Sequence, residues 1–215
     1  MHILIFGASG HVGTGLAELL SDDHRITGVV RSPREGQTPY NPLVLPEWVD
    51  RPQDVLEALE REDAPAVDAV IAAIGGWYEG EAMISRGLAA FDEDYSSYLR
   101  GHFAACAVSV SLAEAGEGAC IPHHALNRVA SVEACGGSGA ISVFGAAQAM
   151  LIRVAQAEST SVDFRELRVM APIGGDDRND LSGGVETVEL SAVAEAVSAV
   201  LSDPGSHEIS TELRP

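Results

Sequence analysis

At 215 residues, 46% apolar and 21% charged, the chain is long enough to bury a full core and suits one α/β domain. A formal charge of −19 opposes binding to nucleic-acid phosphates or anionic lipid, and no apolar run is long enough to span a bilayer. All 13 basic residues are arginines, which excludes a Schiff base and a phosphate-loop lysine, while three cysteines without CxxC spacing argue against zinc, argue against a disulfide framework, and point to a reduced, cytoplasmic setting.

In chain order, His2 to Phe6 is a short β-rich run that ends on glycine. Val12, Leu16, Leu19 and Leu20 then share one side of a helix. Arg25 to Val30 reads as a second strand. Arg31 to Pro46, with four prolines, reads as an irregular excursion in which Val49 and Asp50 end a third strand. Pro52 to Glu62 is helical, and Val67 to Ile74, apolar at every position but Asp68, suits a strand buried on both faces. Glu81 to Ala115 reads as two helices broken near Phe91 and Asp92, followed by a loop over Gly116 to Pro122 and a strand over Ala125 to Ser131. Gly145 to Glu158 is helical, and Phe164 to Met170 is a strand stopped by Pro172. Ile173 to Gly184 is a polar, glycine-rich loop; Val188 to Leu201 is a helix and His207 to Leu213 a last strand. Alternation of this kind implies one domain over residues 1–215. It is a doubly wound parallel sheet of the Rossmann type, about seven strands with helices on both faces.

The first strand and helix are joined by Gly7-Ala8-Ser9-Gly10-His11-Val12-Gly13. In a strand-turn-helix context one glycine permits the tight turn, one lets backbone approach a pyrophosphate, and one lets helix and strand pack closely. The helix N-terminus offers free N–H groups to the phosphates. Gly7, Ser9, Gly10, His11, Val12 and Gly13 are therefore candidate cofactor residues. At the end of the second strand an acid would hold the ribose 2′-hydroxyl of NAD; Arg31, Ser32 and Arg34 stand there instead, and guanidinium groups suit a 2′-phosphate. NADP(H) is expected over NAD(H).

These features resemble the short-chain dehydrogenase/reductase superfamily nearly end to end. The glycine spacing is similar to that of the extended or atypical branches, and the remainder to the compact single-domain forms. The resemblance places Asp50 near the adenine, aligns Ala72-Ala73-Ile74-Gly75 with the family's N-N-A-G segment, and adds Ala73, Gly75, Gln148 and Pro172 to the cofactor set. It also matches the stretch from Thr187 to Val197 and the following Leu201-Ser202-Asp203-Pro204 to the closing helix and turn. The family's catalytic group is Asn, Ser, Tyr and Lys. Here Ser131 falls on the serine, Phe144 on the tyrosine thirteen residues later, Gln148 on the lysine and Tyr98 on the asparagine. No lysine exists to be found in another frame, and no tyrosine follows Tyr98. The ordinary proton relay is lost from the composition itself.

A replacement proton donor could be Tyr98 or Tyr78, with Ser131 orienting the substrate oxygen. His102, His123 and His124 titrate near neutrality in water, but His123 and His124 are expected at the sheet end away from the site, and His102 in packing. Trp77, Asp176, Asp177, Arg178 and Asp180 could line or cover a pocket. The leading expectation is a divergent NADP-dependent oxidoreductase acting on a small carbonyl or alcohol. The alternatives are a non-redox enzyme (cyclase, isomerase or dehydratase) on the same pocket, and a non-catalytic NADP(H) sensor. The family habit of pairing through residues 93–115 and 144–158 implies a homodimer or homotetramer; no metal, nucleic acid or membrane partner is expected.

Overall fold

The structure is a computed structural model that describes residues 1–76, 80–116, 120–175, 184 and 186–215. Seven parallel strands form one sheet in it: β1 (His2–Phe6), β2 (Arg25–Val30), β3 (Asn41–Val44), β4 (Ala69–Ala72), β5 (Ile121–Arg128), β6 (Val162–Val169) and β7 (Ser210–Leu213). Six α-helices accompany it: α1 (His11–Leu20), α2 (Gln53–Arg61), α3 (Met83–Tyr95), α4 (Gly101–Ala115), α5 (Ile141–Glu158) and α6 (Leu190–Ser202). The strand order is β3-β2-β1-β4-β5-β6-β7. The chain thus winds outward from β1, returns across it, and winds outward again from β4. The carboxyl ends of β1 and β4 bound the crevice where such sheets take ligands.

Layering follows from alternation along the strands. Leu4 and Phe6 of β1 face a core shared with Val55, Val108 and Ile152 of α2, α4 and α5, while Ile3 and Ile5 face Leu16, Val193 and Val197 of α1 and α6. Both faces are covered, so β1 and β4 are buried at every position and apolar apart from the His2 imidazole. That ring is buried too, bonded to the Thr27 hydroxyl and the Pro65 carbonyl. Of the apolar stripe expected on α1, Leu16 and Leu20 are buried but Leu19 is 48% exposed; Ala17 takes its place in the core.

Four segments differ from the sequence reading. β3 lies earlier than Val49 and Asp50, inside the proline-rich excursion. It is the sheet edge, where Pro42 needs no ladder hydrogen bond on its open side, and Asp50 sits in a turn bonded to the Glu47 carbonyl. Helix α3 breaks at Gly87, whose φ of 78° only glycine adopts freely, and a π-helical turn over Ser96–Arg100 joins it to α4; Phe91 and Asp92 are inside the helix. β5 begins at Ile121 and ends at Arg128, and Val129–Ser131 is one 3-10 turn. His123 and His124 therefore lie in mid-sheet, opposite Val70 and Ile71 of β4, with neither ring exposed to solvent.

Candidate functional site

The glycine turn is built so that side chains cannot enter it. Gly7 has φ 77°, and a Cβ there would run into the Ala73 carbonyl at the end of β4. A Cβ on Gly13 would strike the Gly7 carbonyl and lie 2.9 Å from Ala8 Cα. Gly10 donates its N–H to the Gly7 carbonyl at 3.0 Å, and a Cβ on it would stand 3.3 Å from that oxygen. Backbone thus packs on backbone from β4 through the turn into α1. The helix has Gly10 as its N-cap with no side-chain cap hydrogen bond, so no capping side chain occupies the first-turn amides. Such a turn can hold a pyrophosphate through backbone N–H groups and the helix dipole.

Side chains around the turn extend this cradle. Thr14 donates its hydroxyl to the Ala8 carbonyl at 2.8 Å, and Arg34 Nη1 donates to Thr14 Oγ1 at 2.8 Å. The guanidinium of Arg34 is thereby held over the mouth of the turn, while Arg31 and Ser32 are exposed beside it. His11 Nε2–H donates to the Gly174 carbonyl at 2.9 Å, tying the start of α1 to the segment after β6. That segment is pinned in turn: Val188 N–H donates to the Pro172 carbonyl and Gly174 N–H to the Val188 carbonyl. Asp50 pairs with Arg100 at 2.6 Å, both about half exposed, which places its carboxylate on the π-helical turn.

Beyond the turn, the carboxyl ends of β4 and β5 bring three groups together. Gly75 and Gly76 leave β4, with Gly75 at φ 129°. Tyr98 lies against them: a Cβ on Gly75 would be 3.3 Å from Tyr98 Cδ1, and one on Gly76 3.6 Å from its Oη. Arg128, the last residue of β5, donates from Nη1 to the Gly76 carbonyl and places its guanidinium carbon 5.7 Å from the Tyr98 ring centroid. Burial pushes the Tyr98 phenol above its ordinary pKa, the Arg128 cation pulls it back by less, and the hydroxyl stays protonated at neutral pH. Sequence reasoning missed Arg128. The signal available was a lone charge closing a strand that is otherwise uncharged, Ile121 to Asn127.

The relay positions are filled differently. Phe144 packs against Phe91 (4.9 Å between centroids) and Tyr95 (5.9 Å). Gln148 is 4% exposed and donates Nε2 to the Leu126 carbonyl of β5 at 2.9 Å, which commits that N–H to the sheet. Ser131 Oγ donates to the Arg128 carbonyl at 2.7 Å and accepts from Arg168 Nε at 2.9 Å. Arg168 continues to Glu166 (3.1 Å) and Glu212 (3.3 Å), and Glu166, fully buried, also accepts from Asn127 and Ser210. The serine hydroxyl is thus one node of a buried polar network across β5, β6 and β7.

The histidines are core groups. His102 donates Nε2–H to the Ile74 carbonyl at 3.3 Å, and His123 Nδ1 meets Ser109 Oγ at 2.7 Å, while both nitrogens of His124 have no partner among the described residues. Burial holds all three neutral, with pKa values pulled down to about 3. Cys106, beside His123, is pushed up to about 12 by burial and is inert as a thiolate. Tyr78 and Trp77 lie outside the described residues, as do Asp176, Asp177, Arg178 and Asp180. Among the described residues there is no cluster able to hold a metal and no helix long and apolar enough to cross a membrane.

No protein-family model and no curated protein matches the sequence. Solved structures do match its architecture. The aldohexose dehydrogenase of Thermoplasma acidophilum superposes with a TM-score of 0.81 at 13% identity, over 99% of this chain and 92% of that one. The NADH-dependent reductase A1-R′ of alginate metabolism gives 0.80 at 16% identity, over 99% and 95%. ElxO with NADP bound gives 0.79 at 11% identity, over 99% and 96%. A short-chain type dehydrogenase/reductase from Mycobacterium ulcerans gives 0.77 at 16% identity, over 99% and 88%. The fold of this chain is that of the short-chain dehydrogenase/reductases.

Proposed function

We propose that the chain is an NADP(H)-dependent oxidoreductase of the short-chain type, acting on a small carbonyl or alcohol, with Tyr98 as its proton donor. One observation carries the reading: three glycines at the switch point leave a backbone cradle that no Cβ would fit, open at the N-terminus of α1. Gly7, Ser9, Gly10, His11, Val12 and Gly13 would hold the pyrophosphate, with Ala73, Gly75 and Pro172 lining the crevice. Arg34 with Arg31 and Ser32 would hold the 2′-phosphate, which favours NADP(H) over NAD(H). The nicotinamide would supply or accept the hydride.

Tyr98 would pass a proton to the substrate oxygen, since it is a protonated phenol beside the Gly75–Gly76 turn. Ser131 has its hydrogen committed to the Arg128 carbonyl, so it would act by fixing the end of β5. In the same reading the protein works in the cytoplasm as a homodimer or homotetramer. An exposed apolar stripe on α5, including Val143, Met150 and Val154, together with Phe103 of α4, suits such a contact.

Calorimetric titration tests the cofactor part, with NADPH expected to bind more tightly than NADH. A panel of small carbonyl compounds, followed by loss of NADPH absorbance, tests the chemistry. Tyr98→Phe is expected to lower kcat by about 100-fold or more at unchanged NADPH affinity. NADPH that does not bind defeats the reading.

A further inference from the structure

Arg128 is unlike the other buried arginines. Arg165 pairs with Asp163 at 2.5 Å, and Arg168 pairs with Glu166 and Glu212. No carboxylate among the described residues pairs with Arg128, whose guanidinium donates to the Gly76 carbonyl and lies over the Tyr98 ring. It is part-buried and cannot shed its charge, so an unpaired guanidinium there is destabilising by itself. The backbone is shaped to admit it: any Cβ on Gly75 would collide with Arg128 Nη2, in a conformation (φ 129°) that disfavours other residues in any case. A charge without a carboxylate partner among the described residues, in a cleft that backbone makes room for, suits a counter-ion that arrives with a ligand. The planar fork has donors left over for two oxygens of one oxyanion.

We propose that Arg128 is the anion anchor of the substrate pocket, so that the substrate carries a carboxylate or phosphoryl group beside the carbon that reacts. This rests on the oxidoreductase reading for the word substrate, but the anion site stands on the arginine alone. Tyr98 lies under the guanidinium, so one small molecule held by Arg128 presents its neighbouring oxygen to the phenol. The overall charge of −19 repels anions at long range, which makes the recognition local and charge-specific.

The test is thermal unfolding of the full chain at constant ionic strength, with chloride exchanged for oxalate or for inorganic phosphate, each with and without saturating NADPH. At tenfold excess over Kd, a bound anion is expected to raise the wild-type Tm by about 4 °C. Arg128→Met is expected to abolish the shift and keep NADPH affinity within about twofold. Arg128→Lys, which keeps the charge and serves if the methionine variant does not fold, is expected to lose at least half of it. A response to oxalate alone names a carboxylate, and a response to phosphate alone a phosphoryl group. Equal shifts in wild type and variants overturn the proposal. So does a shift that NADPH abolishes, because Arg128 then serves the cofactor's phosphates. Failure of NADPH to bind defeats the oxidoreductase reading and is read separately from the anion shift measured without it.

Discussion

The two halves of the sheet treat polar groups in opposite ways. Around β1, α1 and β2 the backbone is packed to the limit, yet the first turn of α1 has no side-chain cap and Arg34 stands exposed beside it, bonded to Thr14. Around β5, α5 and β6 one set of polar groups is satisfied internally: Gln148 by Leu126, Ser131 by Arg128 and Arg168, and Glu166 by Asn127, Arg168 and Ser210. The first half keeps donors for a ligand. In the second, the positions that the family resemblance assigns to the relay lie in the interior, and Tyr98 with Arg128 stands at the Gly75–Gly76 turn.

Acid should break the second half first, and this is the largest effect expected. His102, His123 and His124 are neutral at pKa values near 3 in the folded chain and take their ordinary value near 6.5 when unfolded. The unfolded state binds more protons between those values, so the stability is complete above pH 6.5 and is lost as pH falls toward 3. At pH 5 the loss is about 2 kcal/mol for each ring, about 6 kcal/mol in all, a large share of a typical domain's stability. Urea titrations from pH 8 to pH 5 measure it. His124→Leu, which removes a ring whose two nitrogens have no partner among the described residues, should flatten the curve by one proton.

Rebuilding the relay should also fail. In Phe144→Tyr with Gln148→Lys, the new ammonium would sit where a 4% exposed amide meets the Leu126 carbonyl. Burying it costs on the order of 4 kcal/mol, and the double variant should unfold earlier in urea without gaining turnover. A stable, active double variant would show that this half remains a relay site in waiting.

The first half breaks differently. Gly7→Ala meets both a positive φ and the Ala73 carbonyl, so about 100-fold in NADPH affinity, roughly 3 kcal/mol, should be lost by calorimetry. Arg34→Ala leaves the cradle intact and should weaken NADPH by about tenfold with NADH unchanged. Equal weakening of both would remove Arg34 from the 2′-phosphate.

The same contrast explains what the sequence disclosed. Glycine spacing is legible because it reports backbone geometry, and continuous apolar runs such as Ala69 to Ala72 are legible because both faces are covered. The edge strand β3 was masked by Pro42, which reads as a breaker unless its open side is known. The break at Gly87 and the π-helical turn after Tyr95 leave no periodic mark over so few residues. In the site, the absence of lysine was visible from composition. What occupies its place was not, because the bond from Gln148 to Leu126 joins residues 22 apart. Arg128 escaped notice because its meaning lies in having no carboxylate partner among the described residues, which only the fold reveals.

Ser131→Ala is the smallest expected effect and divides the two readings of the second half. Loss of Oγ leaves Arg168 Nε without its acceptor at 2.9 Å, but the guanidinium keeps Glu166 and Glu212. The expected cost is about 1 kcal/mol, a fall in Tm of roughly 3 °C for a chain of this size, with NADPH affinity and kcat close to wild type. If the serine instead orients the substrate oxygen, as the family resemblance implies, the pattern inverts. Stability then changes little and kcat falls by about 100-fold. Thermal unfolding and turnover measured on this variant therefore decide whether the hydroxyl belongs to the core or to the cleft.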